Sequence, residues 1–434
     1  MSSLRYRSTR SAEPLVSFRE ALLGGLAPDG GLYVPAAIPA VPESAWREAA
    51  SFPDLAFNVL HRWLAGEVDA AALRALVADA FSFPVPVVPL EGAWEGVYVL
   101  ELFHGPTLSF KDFGARTMAR LMGHFLQAED TSLTILVATS GDTGSAVADG
   151  FAGQDRIQVV LLYPKGQVSP VQERQLIVER PGVQALAVEG TFDDCQRMVK
   201  AAFVDEELAV LNLSSANSIN IGRLLPQMLY YLWASRSVDA PPVVCVPSGN
   251  LGNLTGGVLA VLSGLPVHRF LAAHNANDFF PKYLRGEADA FQPSVRTLSN
   301  AMDVGAPSNF ERLTVLLGEA GMRDRIEGER VTDEETLDSM RRVYEESGYV
   351  ACPHTAVGLE AARRYRQRCG TAHPVLVLST AHPAKFPETV GRALGAEPAL
   401  PERLSRLWHR PTRVATLPPT AEALRERLLA HAGV

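Results

Sequence analysis

From Val97 onward the chain alternates short apolar runs with longer stretches whose apolar residues recur every three or four positions. The runs at 133–138, 157–163, 184–188, 243–246, 270–273 and 375–378 are rich in Val, Ile and Leu, and helical patterning follows them. Apolar strands separated by helices indicate βαβ units, with parallel sheets buried on both faces. Over 110–125, Phe110, Phe113, Met118, Leu121, Met122 and Phe125 fall at helical spacing, and Ser109 followed by Asp112 resembles a capped start, which predicts a helix through Gln127. The first ninety residues instead mix short helices with Pro/Gly turns, such as the tight turn in 27–35 after a helix over 18–26. The pair Pro241-Pro242 is a plausible crossing point between two sheets. The pattern predicts an α/β protein of two sheet-bearing domains, 93–238 and 239–434, preceded by an N-terminal α+β segment, 1–92.

Composition narrows the class. At 434 residues, 47% hydrophobic and 20% charged, the chain can bury a large core. A net charge of −8 without a basic stripe predicts no nucleic-acid partner. Four cysteines lacking CxxC spacing, and histidines lacking HExxH spacing, support neither a disulfide framework nor a metal site. Without a signal-like start or an apolar run of spanning length, a cytoplasmic enzyme with no membrane partner is expected. Cys352-Pro353-His354 reads as a loop before a helix from Thr355, and the charged stretch 323–335 as solvated surface.

Three candidate motifs follow predicted strands, where α/β sheets place their ligands. Ser140, Asp142 and Thr143, after the strand ending at Ala138, offer hydroxyls and N–H groups suited to a carboxylate; an ordinary capped helix start would look the same. Gly249, Asn250, Leu251, Gly252 and Asn253 follow the strand ending at Val246 and can cradle a phosphate monoester on a helix N-terminus. They lack the lysine of a nucleotide P-loop, and a ligand-free glycine turn reads equally well. Thr380, after the strand ending at Leu378, could hydrogen-bond a pyridine nitrogen. Elsewhere, Asn217, Ser218 and Arg223 could form a second phosphate site, or an N-capped helix with Arg223 in solvent. Lys111 lies in a first helical turn among apolar neighbours, where a positive charge is disfavoured and a nucleophilic neutral amine is favoured. A solvated lysine is the ordinary alternative. An imine-forming lysine with a phosphate cradle points to pyridoxal phosphate.

The ordered motifs carry a resemblance. Tyr6-Arg7-Ser8-Thr9-Arg10, the 25–35 turn, Phe103-His104-Gly105-Pro106-Thr107, the 109–114 run and Ser140-Gly141-Asp142-Thr143-Gly144 are joined by Ser214 to Asn220, Ser248-Gly249-Asn250, Pro353 to Gly358 and Leu378 to Phe386. Nearly end to end, the chain resembles the threonine synthases, in their longer bacterial and fungal form. The resemblance implies a tryptophan-synthase-β-like, fold-type II pyridoxal-phosphate enzyme that converts O-phospho-L-homoserine and water to L-threonine and phosphate. It implies that Lys111 bonds the cofactor and then acts as general base. Gly249 to Asn253 would hold the cofactor phosphate, and Thr380 would face the ring nitrogen. Ser140, Asp142 and Thr143 would lie near the substrate carboxylate and the cofactor 3′-oxygen, with Asn217, Ser218 and Arg223 at the substrate phosphate. Leu251 stands where many relatives have phenylalanine, and Asp142 where shorter relatives have asparagine. A monomer or homodimer is expected. The competing readings are a dehydratase or phospho-lyase giving 2-oxobutyrate, and a binding protein that kept the fold and lost the chemistry.

Overall fold

The computed structural model describes residues 3–127, 131–370 and 372–432. Two largely parallel sheets organise them. The larger has the strand order β11 (Ile326–Arg330), β10 (Arg269–His274), β9 (Val243–Pro247), β12 (Val375–Ser379), β4 (Val97–Glu101), β3 (Val87–Pro89), with only β3 antiparallel. The smaller is wholly parallel: β13 (Val414–Leu417), β7 (Val183–Val188), β6 (Ile157–Pro164), β5 (Leu133–Ala138), β8 (Leu213–Ser214). The short antiparallel pair β1 (Tyr6–Ser8) and β2 (Tyr33–Pro35) belongs to the N-terminal segment.

The apolar runs become strands because both their faces are covered. In β5, Ile135 and Val137 join one core cluster while Leu136 and Ala138 join another; β9 divides Val244 and Val246 from Val243 and Cys245 in the same way. All six predicted strands lie within one residue of their expected ends. Sheet membership crosses the expected boundaries at 93 and 239. Strand β4 lies in the larger sheet beside β12, and β13 returns from the C-terminal region to pair with β7. The stretch 323–335, expected as solvated surface, contains edge strand β11, whose Glu327 and Glu329 pair with Arg368.

The predicted helix of the lysine run is Lys111–Leu126, but its start differs from the expected cap. The N-cap is Phe110, Ser109 Oγ has no partner, and Asp112 accepts from Thr107 N and Oγ1 at 2.9 and 2.6 Å. Residues 108–110 are instead laid along the segment after β12. Ser109 bridges Ala381, Phe110 N donates to Thr380 O and His382 N donates to Leu108 O. This long-range pairing, with Leu108 at φ 57°, overrides the local cap. One position beyond the lysine's neighbour, Phe113 sits fully buried edge-on to Phe52, Phe83 and Tyr230. Burying such a ring stabilises by about 2–3 kcal/mol, and here it pins the first helical turn.

Candidate active site

Strands β9, β12 and β4 are neighbours that start in register, Val243 and Val97 both opposite Val375. Their carboxyl ends therefore emerge along one sheet edge, as the ligand crevice of an open α/β sheet requires. From β9 comes the turn 248–253, from β12 comes Thr380, and from β4 the chain runs through 102–110 to Lys111. In the smaller sheet, β5 and β8 are also parallel neighbours. Their ends deliver Ser140 to Thr143 and Asn217 to Arg223. All of the residues singled out in the sequence border one cavity of about 1160 Å³.

The cradle after β9 is shaped by its backbone. Leu251 holds a left-handed φ of 59° and directs the chain into the helix Gly252–Leu262, whose start has no side-chain cap. Its first N–H groups are thus left to a ligand. A Cβ at Gly249 would stand 2.9 Å from Met302 Cα, so the loop 299–303 closes over the turn only because that residue is glycine. Asn253 is buried; its Oδ1 accepts from Tyr230 OH and Tyr231 OH at 2.6 and 2.7 Å, which leaves Nδ2 buried without a partner. Asn250 is differently engaged: Nδ2 donates to Ser218 Oγ at 2.6 Å and Oδ1 accepts from Ser308 N at 2.5 Å, tying the two anion segments together.

The Lys111 amine is lowered to about 8, chiefly by burial; Asp142 opposes the shift, and Arg223 and Lys385 add to it. Burial, which the sequence reasoning did not invoke beside the helix terminus, is the largest cause of this lowering. Asp142 is buried, which alone would raise it, yet Lys385 and Lys111 hold its carboxyl well below the usual range. Its Oδ1 lies 2.8 Å from Lys385 Nζ and accepts from Gln172 Nε2 at 2.9 Å. Arg223 is buried, not solvated. Nη1 donates to Ala216 O at 2.5 Å, Nε has no partner, and the side chain borders the cavity. Thr380 is buried at the cavity wall.

Several wall or support residues were not singled out. His354 faces the cavity from the helix Pro353–Cys369, which begins two residues before the expected start with Cys352 as N-cap. Its Nε2 accepts from Ala301 N at 3.1 Å, and burial lowers the ring to about 4, so it is neutral near pH 7. Arg312 is fully buried and donates to Tyr33 O, Ser218 O, Ile219 O and Asn309 Oδ1, joining the N-terminal segment to the Asn217–Arg223 turn. Their partners are remote in sequence, and only the alternation of apolar and polar positions is visible locally.

Family models match residues 5–427 in three parts: a threonine synthase N terminus at 5–81, a pyridoxal-phosphate dependent enzyme at 81–381, and a threonine synthase C-terminal region at 355–427. The chain is 42% identical to threonine synthase of Escherichia coli strain K12 over 423 residues, covering 96% of this chain and 97% of that protein. It is 38% identical to the Saccharomyces cerevisiae threonine synthase, with 93% of each covered. Among solved structures, pyridoxal-phosphate-bound threonine synthase from Brucella melitensis superposes with a TM-score of 0.92 at 36% identity, and all of both chains is covered.

Proposed function

The chain belongs to the threonine synthase family of pyridoxal-phosphate-dependent lyases, and from that premise we propose how its residues divide the conversion of O-phospho-L-homoserine and water to L-threonine and phosphate. The cofactor is pyridoxal phosphate, and the residues present fit it. An amine lowered to about 8 suits bonding to an aldehyde, and the unpartnered Asn253 Nδ2 beside an uncapped helix start suits a phosphate. The backbone of Gly249 to Asn253 would hold that phosphate, with the Asn250 side chain bracing the turn. Thr380 would offer its hydroxyl to the ring nitrogen.

Bound there, the cofactor supplies a conjugated ring that accepts the electrons released as protons leave the substrate carbons. Lys111 is the group placed to move those protons. One leaves Cα and one leaves Cβ, phosphate departs from Cγ, protons return to Cγ and Cα, and water adds its hydroxyl at Cβ. Ser140 and Thr143, at the start of the Asp142–Phe151 helix, would bind the substrate carboxylate through hydroxyl and N–H groups. Asp142 would approach the cofactor's 3′-oxygen side with its charge offset by Lys385. Arg223, Asn217 and Ser218 would take the substrate phosphate. Arg223 carries a buried charge whose Nε has no partner among the described residues, so an incoming dianion would gain both Coulomb energy and a bidentate partner, and the charge developing on the leaving phosphate would be stabilised. His354 would stay neutral and brace the loop over Gly249.

The observation that carries this reading is the convergence of Lys111, the Asn253 donor and Arg223 on one cavity. We further propose a cytoplasmic monomer or homodimer that binds no nucleic acid; among the described residues no helix is long and apolar enough to cross a membrane. Product analysis with O-phospho-L-homoserine tests the reading: threonine and phosphate should form in equal amounts. If 2-oxobutyrate is the sole organic product, the proposed water addition does not occur here.

A further inference from the structure

We propose that Lys385 is a positioning residue whose buried ammonium occupies Asp142, so that this carboxylate does not hold the Lys111 amine as its own counter-ion. The inference rests on the reading of Lys111 as the cofactor lysine.

Lys385 lies in the turn Pro383–Lys385 after β12 and is fully buried. Its Nζ reaches Asp142 Oδ1 at 2.8 Å and Thr107 O at 2.9 Å. A lysine removed from water this completely is costly unless its charge is paired, and Asp142 is the pairing. The same carboxylate is the anion felt most strongly by Lys111. Two amines therefore compete for one acid, and geometry assigns it to Lys385. Gln172 Nε2, donating to the same Oδ1 at 2.9 Å, fixes the carboxylate in that orientation. Gln172 is itself set by Ser169 N, which donates to its Oε1, and Ser169 Oγ donates back to Lys385 O.

The remaining charged or titratable groups around Lys111 do not offer an alternative counter-ion. Arg223, from the short helix Ile221–Leu224, is cationic. His354, from the helix Pro353–Cys369, is lowered to about 4 and neutral near pH 7. Asp112, next along the Lys111 helix, is turned away onto Thr107. If Lys385 were absent, Asp142 would be an unpaired buried anion whose nearest mobile cation is Lys111. The amine would then be held protonated, and a protonated amine neither bonds an aldehyde nor accepts a proton.

The arrangement predicts an order among variants that a purely structural staple would not produce. The Lys111 ionisation midpoint is read directly in the cofactor-free protein by trace acetylation at a series of pH values, with the Lys111 peptide quantified by mass spectrometry. Wild type should titrate near 8. Lys385→Met should move the midpoint up by about one unit or more, leaving roughly tenfold less neutral amine at pH 7. Asp142→Asn should move it below wild type, because the carboxylate that favours the charged amine is gone. The double variant should lie well below Lys385→Met, because the rise in that variant needs Asp142. If Lys385→Met does not fold, Lys385→Gln removes the same charge with a polar side chain, and its midpoint must lie above wild type and fall when Asp142→Asn is added. Equal midpoints in all folded variants, or no rise on removing Lys385, overturn the proposal. Reduction of the holoenzyme with borohydride separately reports whether Lys111 carries the cofactor, so a failed charge role is distinguishable from a misassigned lysine.

Discussion

Asn253→Ala is the most informative single truncation in the proposed cofactor cradle. The Asn253 amide has one end satisfied twice, by Tyr230 OH at 2.6 Å and Tyr231 OH at 2.7 Å, and the other end buried without an acceptor among the described residues. A donor kept dry and oriented in this way should gain its partner when phosphate enters. A hydrogen bond to a charged acceptor contributes about 1.5–3 kcal/mol, so cofactor affinity should fall by roughly 10- to 150-fold. The cofactor-free protein should lose less. Tyr231 OH keeps Asn253 O at 2.9 Å, and only Tyr230 is left with a weak alternative, Gln227 Oε1 at 3.4 Å. Equilibrium titration of the visible absorbance of the bound cofactor gives the affinity, and melting with and without cofactor separates binding from folding. Tyr230→Phe is the control: it removes a hydroxyl that orients the amide but keeps the donor, and should weaken binding far less. The reasoning is refuted if Asn253→Ala lowers the melting temperature yet binds the cofactor as tightly as wild type.

Three further outcomes follow from the same geometry. Arg223→Ala should raise KM for O-phospho-L-homoserine by at least tenfold with cofactor absorbance unchanged, since the proposed phosphate contact of a buried arginine would be lost, and steady-state kinetics beside a cofactor titration would show it. Gly249→Ala places a Cβ 2.9 Å from Met302 Cα and 3.2 Å from Ala301 O, so it should destabilise by about 1–3 kcal/mol and loosen cofactor binding through displacement of the covering loop; chemical denaturation and cofactor titration measure the two effects. Lys111→Met in the cofactor-free protein should be more stable than wild type at pH 7. The folded-state amine is lowered from 10.5 to about 8, so the unfolded chain binds more protons between those values and wild-type stability rises with pH across that window. The stability gap should therefore narrow from about pH 8 toward 10.5, and melting curves across that range would expose the opposite trend if burial does not lower the amine.

Much of this was legible in the sequence because the signals were local. Six of the parallel strands show as apolar runs, since a strand covered on both faces has no polar side to interrupt it, and their ends locate the candidate ligand turns. Strands β8 and β13 escaped: Leu213–Ser214 is too short for any period, and Val414–Leu417 is an edge of mixed exposure. Strand β11 was masked by its charges, which pair across the surface instead of dissolving into it. The Ser109 cap failed for a different reason. The Ser109/Asp112 spacing is a sound local signal, but Ala381 takes the backbone of Ser109, and Thr107 takes the carboxylate of Asp112. No role was legible for Arg312, nor for His354 and Lys385 although both lie in the motifs that carry the resemblance, because each acquires its meaning from a partner distant in the chain.

Lys111 has a built-in rival: Lys385 is fully buried behind the cavity wall, 2.8 Å from the wall residue Asp142. Borohydride reduction of the cofactor-loaded protein, followed by peptide mass spectrometry, fixes the pyridoxyl group to the lysine that bonded it. The account predicts the label on the peptide containing Lys111 and none on that containing Lys385. A label on Lys385, or one that survives Lys111→Ala, would contradict it.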